Sequence, residues 1–551
     1  MAYLVKKIIN KHPYYYLKES KRHGNKVSSK NIAYFGKKKP SPKEIKEKLI
    51  EIKEKVVPNK DNIFKDGEKT KVMLNINDIA TFCKKKGFVY QTSEIYGGFS
   101  GFFDYGHLGA ELKNNIKQNW WKTFVQDRED VVGIDGSIIS HPKVWEASGH
   151  LAGFSDFIYT CDKCKAFSKG DNDQGMKCSK CGNELKNPSK FNLMFATSIG
   201  PSKESTAYLR PETAQQMFTN FKLVAENARL KLPFGIAQIG RAFRNEISPR
   251  DFLFRSREFE QMEIEYFVHP DKIDLCPYIK EVEDLKVNIL TSEMQSNSKS
   301  QELIKISDII NKKLATPWHA YWLGITYNWF LCLGIKEENL RVREHLKDEL
   351  AHYARACFDI EYQFPFGWKE IHGCADRQQF DLNQHIKFSK TDLSLFDEET
   401  KQKVVPYVAA EPSQGVDRAF LAFLIDSYND DPGRGNIVLK IHPKLSPYKA
   451  AVFPLVNKLE KEARAVYETL RKDFNCFYDK SGSVGRRYAR ADEIGIPFCI
   501  TVDFQTKDDS TVTIRNRDTT GQIRVKIKDL KLILIALLEM EKLENFGKIV
   551  K

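Results

Sequence analysis

No stretch of this chain approaches the roughly 18 consecutive apolar residues that a membrane-crossing helix needs, so nothing in it is read as spanning a bilayer. The first 20 residues lack the apolar run and small-residue cleavage site of a secretory signal. They are acid-poor, as transit peptides are, but Tyr14-Tyr15-Tyr16 favours a strand over an amphipathic helix. A Gly-x4-Gly-Lys phosphate loop is also missing, which weakens a reading as a general nucleotide-binding protein with an RNA arm. The eleven cysteines are an odd number and seven are scattered, so they do not make a disulfide framework. A reducing cytoplasm fits them better. Acid is scarce at one end. Residues 1–39 carry eleven Lys/Arg against one acid, Glu19, which accounts for +10 of the net +14. A basic head on a near-neutral body reads either as an arm that meets a polyanion or as a solubilising tail.

What is present is ordinary for a globular chain: 551 residues, 41% hydrophobic and 29% charged. That length implies several domains, since single cores stop growing near about 250–300 residues. Residues 2–9, 14–19 and 26–35 read as three short strands of a basic N-terminal extension, 1–39. Residues 40–74 read as a helix and a linker, with Ser41 as N-cap, Pro42 at the first helical position and Glu44 closing a capping box. From 75 to 432 strand-like and helix-like segments alternate, with a helix at 112–125 and a predominantly helical insertion at 270–350. Pro432-Gly433-Arg434-Gly435 marks a boundary, and 433–551 reads as a small α/β domain.

Cys161-x2-Cys164 and Cys178-x2-Cys181 are separated by thirteen residues. Two such turns can place four thiolates around one tetrahedral Zn²⁺ with no open coordination position, so the zinc would be structural. The knuckle, within an insertion at 158–190, carries Lys163, Lys165, Lys177 and Lys180. It is either a local nucleic-acid contact or a purely structural clip.

The most informative stretch is 235–267, GIAQIGRAFRNEISPRDFLFRSREFEQMEIEYF. Both ends read as strands around a long cationic loop. On the returning strand one face would hold Arg257, Phe259, Gln261, Glu263 and Glu265, the other Glu258, Glu260, Met262, Ile264 and Tyr266. Carboxylates on both faces make a poor core strand unless cations or a ligand offset their burial. Arg244, Arg250, Arg255 and Arg257 offer forks for phosphate. The competing reading is an exposed, salt-bridged hairpin. Two further segments bear on the choice. Residues 209–216, LRPETAQQ, put a polar cluster at a helix entry, and 411–420, EPSQGVDRAF, place Arg418 near a helix N-terminus where phosphate is favoured.

At these residues the chain resembles the class II aminoacyl-tRNA synthetases. Residues 235–267, with Phe243-Arg244-Asn245-Glu246 at the turn, are similar to that class's second signature, and 411–428 to its third. Within the class the resemblance is to the homodimeric glycyl-tRNA synthetase family, from about residue 76 to the C-terminus. It also rests on Tyr105-Gly106-His107-Leu108-Gly109, Trp145-Glu146-Ala147-Ser148-Gly149-His150, Arg210 to Gln215 and Ala375-Asp376-Arg377. Cys374 stands where an aliphatic side chain is usual, and it is given no role.

The resemblance implies an α+β fold: a class II antiparallel sheet core with helices, a zinc-ribbon insertion and a C-terminal α/β anticodon-binding domain. It implies glycine activation with ATP and Mg²⁺, transfer to tRNA for glycine, and a homodimer. Arg244, Glu246 and Arg418 would carry the catalysis. By the same resemblance Arg244, Asn245 and Glu246 bind ATP, and Phe254, Arg255, Ser256, Arg257, Glu258 and Phe259 close over it. Glu370 and Ile371 contact the nucleotide further along, and Gly415, Val416, Asp417 and Arg418 complete the site. Glycine would meet Glu212, Phe259, Glu260, Gln261, Met262 and Glu263 on one side. On the other stand Glu411, Pro412, Ser413, Gln414 and Gly415, with Arg128 as a further substrate-contacting arginine. Arg486, Arg487, Arg490, Arg515 and Arg524 would touch RNA or, equally, make structural ion pairs. A synthetase for serine, threonine or proline, and a non-catalytic RNA-binding paralogue, are the competing readings.

Overall fold

The computed structural model describes residues 2–9, 12–23, 26–36, 40–41, 74–170, 176–178, 180–185, 188–201 and 206–550. The helix expected beyond Ser41 and most of the linker to residue 74 lie outside the described residues. The chain divides into two compact units, Met1–Val72 and Met73–Lys551.

In the first unit β1 (Ala2–Ile9), β2 (His12–His23) and β3 (Lys26–Gly36) pair as an antiparallel three-stranded meander. The alternating aromatic and aliphatic residues of these segments suit a pleated surface better than a helix.

The second unit is built on a nine-stranded sheet. Its strands are β4 (Val131–Ile134), β5 (Phe234–Phe243), β6 (Glu258–Val268), β7 (Lys286–Leu290) and β8 (Glu302–Lys305). The remainder are β9 (Leu340–Glu344), β10 (Ala356–Phe364), β11 (Gly367–Asp376) and β12 (Tyr407–Gly415). Their spatial order is β8-β7-β9-β10-β11-β12-β6-β5-β4, antiparallel except for the β5–β4 and β7–β9 pairs.

The stretch 270–350, expected as a predominantly helical insertion, does hold more helix than strand, but it does not stand apart as an insertion. Its longest element is a helix, but β7, β8 and β9 extend the main sheet, so it belongs to the core. The short strands 286–290 and 302–305 mix apolar and charged residues, which hid them among helix-like patterns.

Helices α1 (His107–Trp121), α2 (Ala214–Thr219), α3 (Pro317–Cys332) and α4 (Val416–Ser427) pack on this sheet. α3 is apolar around its whole circumference, and Trp318, Tyr321, Trp322, Tyr327 and Phe330 are all buried. Tyr266 of β6 lies 5.0 Å from both Trp318 and Trp322, so the even residues of β6 form one wall of this core. Full burial of each such side chain is worth about 1.5–3 kcal/mol.

The boundary expected near 433 is the turn of a hairpin, Tyr428–Asp431 with Asn436–Leu439. Beyond it six strands form a second sheet, starting at Ala450–Pro454. Alternate residues of that strand enter different clusters, Ala450 and Val452 on one face, Ala451 and Phe453 on the other. Both faces are therefore covered, as in an α/β layer. The arginines offered for RNA separate here. Arg487 is buried and donates to the carbonyls of Pro454 and Leu455; Arg515 is buried and grips Asp492 at 2.8 and 3.0 Å. Arg490 and Arg524 pair with Asp479 and Asp503. Arg486 is exposed.

The segment Tyr105-Gly106-His107-Leu108-Gly109 acquires a physical reason. The start of α1 meets the backbone of Gly87 and Phe88, with Leu108 N–H donating to Gly87 O (3.1 Å) and Gly106 N–H to Phe88 O (2.9 Å). A Cβ on Gly109 would lie 1.9 Å from the Phe88 carbonyl oxygen. Gly109→Ala should therefore push backbone from backbone and destabilise by about 1–3 kcal/mol or more. A clear fall in the thermal unfolding midpoint checks this, and an unchanged midpoint contradicts the packing.

Candidate active site

A cavity of about 260 Å³ opens on the face of the sheet opposite α3 and is walled by β6, β10, β11 and β12 with the start of α4. Strand alternation decides which side chains reach it. Phe259, Gln261 and Glu263 line it, while Met262, Ile264 and Tyr266 point into the apolar core.

At one end stand the arginines. Arg418 follows the N-cap Gly415 of α4 and sits where the helix dipole adds positive potential. Its guanidinium donates to the carbonyls of Phe254 and Glu370, both at 3.2 Å, and pairs with the Glu370 carboxylate at 2.9 Å. It also lies 4.5 Å from the centre of the Phe254 ring. Arg244, at the end of β5, donates Nε–H to Pro211 O at 3.0 Å and lies 5.2 Å from the Phe259 ring. Burial alone would raise the Glu370 pKa, but Arg418 and then Arg244 hold it below the ordinary value. Both guanidiniums therefore act on one carboxylate.

At the other end stand the acids. Glu212 lies 3.3 Å from His150 Nε2 and accepts from Gln215 at 3.0 Å. Glu263 accepts from Thr213, and Gln261 donates to Ser413 Oγ at 3.3 Å. Arg377 binds Asp381 with two donors at 2.8 and 2.9 Å and Glu411 at 2.5 Å. Glu265, 0% exposed, has no hydrogen-bond partner for either oxygen. Burial pushes Glu265 well above its usual pKa, and the neighbouring Glu411 adds to that. Burial, only partly opposed by Arg377 and reinforced by Glu263 and Glu212, moves Glu411 up to about 8. Glu263 is raised by burial and by Glu212. For Glu212 burial works upward too, but His150 outweighs it and keeps the pKa well below the usual range.

Of the residues expected at the site, Glu212, Arg244, Glu246, Phe254, Arg255, Ser256 and Phe259 line this one cavity. So do Gln261, Glu263, Glu370, Glu411, Ser413, Gly415, Asp417 and Arg418. Others do not. Glu258 and Glu260 alternate to the opposite side, where Arg241 pairs with the first and Lys113 (2.8 Å) and Lys117 with the second. Met262, Ile371 and Val416 are core residues. Pro412 and Gln414 are buried by the same alternation along β12. Asn245, whose backbone N–H donates to Leu193 O, and Arg257, which donates to Glu246 O and Ser100 O, are not among the lining residues. Arg128 belongs to a separate cavity of about 760 Å³, fixed by Asp130 at 2.7 Å and Tyr321 at 2.7 Å. The sequence reading missed His345, Tyr353, Cys357 and Asp359 in the cavity wall, and it gave Arg377 only a motif's place. The alternation Arg341, Arg343, His345, which runs one residue past the end of β9, was the available signal for His345.

The knuckle is closed. The four sulfurs of Cys161, Cys164, Cys178 and Cys181 lie within 4.8 Å of one another. Two of the pairs are 3.5 Å apart, Cys161 with Cys181 and Cys164 with Cys178. A tetrahedron with Zn–S bonds of about 2.3 Å has edges of about 3.8 Å, so the donor set fits. Backbone N–H groups lower two thiol pKa values, that at Cys164 taking Cys161 to about 6 and that at Lys180 lowering Cys178.

Residues 195–428 match the family model described as tRNA synthetase class II core domain (G, H, P, S and T), and 449–537 match an anticodon binding domain. The glycine–tRNA ligase of Acetivibrio thermocellus is 44% identical over 493 residues, covering 83% of this chain and 97% of that protein. That of Borreliella burgdorferi is 45% identical over 471 residues, covering 83% and 96%. This chain belongs to the glycine–tRNA ligase family. Two solved structures share the fold of this synthetase family. One is described as the RNA-binding domain of threonyl-tRNA synthetase from Cryptosporidium parvum (TM-score 0.55, 17% identity, 83% of this chain and 97% of that one). The other is prolyl-tRNA synthetase from the same organism (TM-score 0.50, 14% identity, 84% and 79%). The family's core model spans both the arginine end and the acid end of the cavity.

Because Glu411 has a raised pKa in the folded state, its protonated form favours folding. That stabilisation is fully present below the ordinary carboxylate pKa and is lost as pH rises through about 8. Glu411→Gln should therefore flatten the decline of the unfolding midpoint between about pH 5 and about 8. Parallel wild-type and variant curves over that window would show that Glu411 does not titrate there.

Proposed function

We propose that this cavity joins glycine to ATP as glycyl-adenylate and then passes the glycyl group to the 3′ end of a tRNA for glycine. The carrying observation is that Arg244 and Arg418 share one cavity with Glu212 and Glu263. In the first step a glycine carboxylate oxygen attacks the α-phosphorus, the bond to the bridging oxygen breaks, and pyrophosphate leaves with the electron pair. No side chain bonds covalently to substrate, so rate comes from alignment and from charge neutralisation already in place. Arg244 neutralises the α-phosphate, Arg418 lies toward the γ-phosphate, and Phe259 offers a ring for adenine. Asp359 and Glu370 are the carboxylates that would hold Mg²⁺, an oxygen-ligand ion that, when bound, supplies further neutralisation of phosphate charge. Burial, and then repulsion from Glu370, help raise the Asp359 pKa, which a divalent cation would reverse.

Glycine has no side chain to grasp, so selection must come from exclusion. Glu212, Glu263 and Glu411 supply acceptors for the ammonium. The wall beside these acceptors is filled by buried Glu265 and the Arg377 network, which would leave no room for a side chain on the α-carbon. Zinc held by the four cysteines would clip the knuckle without joining the reaction. The α/β domain at 449–537 would read the tRNA, with exposed Arg486 available to its backbone. We read the enzyme as a homodimer, supported by the edge strand β4 and by Leu223, 58% exposed beside a cavity along that strand. A cytoplasmic location is supported by free cysteines throughout the described residues.

Pyrophosphate exchange with a panel of amino acids tests the assignment. Glycine should support exchange while alanine, serine, threonine and proline do not; exchange driven by another amino acid, and not by glycine, would replace it. Arg418→Ala should lower kcat/KM for ATP in that assay by about 10²–10³-fold, the usual cost of one charge-stabilising donor. Metal analysis should find zinc on the wild-type chain and little on Cys178→Ser, with exchange activity separating loss of metal from loss of the site.

A further inference from the structure

The first unit carries chemistry that the charging reaction does not use. The curated relatives are covered almost end to end, 97% and 96%, by only 83% of this chain, so the chain holds sequence that they lack. Within residues 1–39 the eleven cations are accompanied by five tyrosines and one acid.

Register sorts these residues onto two faces. Directly opposed residues of antiparallel strands share a face, and alternate residues of one strand lie on opposite faces. The pairs Lys7↔Tyr14, Val5↔Tyr16 and Tyr3↔Lys18 put one set together across β1 and β2. Tyr16↔Tyr34 and Lys18↔Asn31 carry that set onto β3, and Arg22, six residues from Tyr16 along β2, joins it by alternation. The second set contains Leu4↔Leu17, Ile8↔Pro13, Leu17↔Ala33 and Glu19↔Lys30. One face thus collects four of the five tyrosines with Lys7, Lys18 and Arg22. The other takes most of the aliphatic residues, the single acid and the cations Lys6, Lys21, Lys26 and Lys30, so it is the tyrosines, not the charges, that the register sorts.

We propose that the face gathering Tyr3, Tyr14, Tyr16 and Tyr34 with Lys7, Lys18 and Arg22 binds unpaired nucleotides of RNA, giving the enzyme a second hold on its tRNA. Aromatic faces offer stacking to any base, at about 1–3 kcal/mol per stacked base, and interleaved cations follow the phosphates. Single-stranded RNA is the polyanion that uses both, whereas a duplex hides its base faces. A solubilising tail would need the charge without sorting the tyrosines onto its face. The inference rests on the reading that tRNA is a substrate.

The test uses the full-length protein and two probes, tRNA for glycine and a twelve-nucleotide oligouridylate. One variant carries Lys7→Ser, Lys18→Ser and Arg22→Ser. A second carries Lys6→Ser, Lys21→Ser and Lys26→Ser, which removes equal charge from the opposite face by the same register. The first should weaken both probes about tenfold or more and reduce the slope of log affinity against log salt by about 2, as expected for three lost phosphate contacts on a single strand. The second should change binding less than about twofold. A third variant, Tyr14→Leu with Tyr34→Leu, keeps the charge and should weaken the oligouridylate while leaving the salt slope unchanged. Equal effects from the two charge variants, no effect from the first, or full oligouridylate binding by the third would each overturn the proposal. Loss of tRNA binding without loss of oligouridylate binding would also overturn it, since the face would then recognise folded RNA. Glycine-dependent pyrophosphate exchange should be unchanged in all three, so failure of this inference stays distinct from failure of the charging reaction.

Discussion

Arg377 is 1% exposed, yet its guanidinium is shared by Asp381 and Glu411 and lies in the field of Glu212, Glu263 and Glu265. One permanent positive charge cannot balance that many ionised carboxylates in a buried wall, and an uncompensated buried charge costs several kcal/mol. Burial and the neighbouring carboxylates move Glu265, Glu411 and Glu263 toward their protonated forms, which relieves part of this imbalance. On the proposed reading, the ammonium of glycine would supply a further cation. On that reading the pocket would be best balanced when occupied, and selectivity for a small cationic head would follow from the same imbalance. The bonds that fix Arg377 also fix the pocket's floor, because Asp381 is held by Gln215, which His385 orients in turn.

The phosphate end obeys a different rule. Arg244 and Arg418 are fastened to main-chain carbonyls of Pro211, Phe254 and Glu370, so the protein itself fixes their positions, ahead of the nucleotide proposed to bind there. Preset donors need no reorganisation when charge develops on the phosphorus. One end of the cavity is thus a fixed electrostatic template, and the other is a proton-adjustable one.

Much of this was legible in the residues. The carboxylates on both faces of 258–266 announced a strand that could not be ordinary core, and the arginines at 244 and 418 announced phosphate. What the sequence could not reveal was which alternate positions face the cavity. The resemblance assigned whole runs, such as 258–263, to ligand contact. The pleat splits them, sending Glu258 and Glu260 to Arg241, Lys113 and Lys117. Arg128 shows the same limit from a longer range. Three of its five N–H donors go to Asp130 and Tyr321, and nothing local in the sequence distinguishes a partnered arginine from a free one. His345 and Asp359 were missed because their 2.8 Å contact joins neighbouring strands that the sequence reading had assigned to a helical insertion and to the core beyond it. In the N-terminal unit, local periodicity located segments at 2–9, 14–19 and 26–35 where the strands run Ala2–Ile9, His12–His23 and Lys26–Gly36, so the middle strand was read at half its length.

The chain leaving the cysteine knuckle runs through Ser189–Asn192 to Leu193, whose carbonyl accepts the N–H of Asn245 at 2.8 Å. Asn192 itself reaches back to the Leu151 carbonyl at 3.1 Å. The turn beside Arg244 is therefore propped by the strand that returns from four thiols. The same Asn192 amide also reaches the carbonyl of His150 at 3.4 Å, and the His150 ring pairs with Glu212, so one strand leaving the knuckle braces both ends of the cavity.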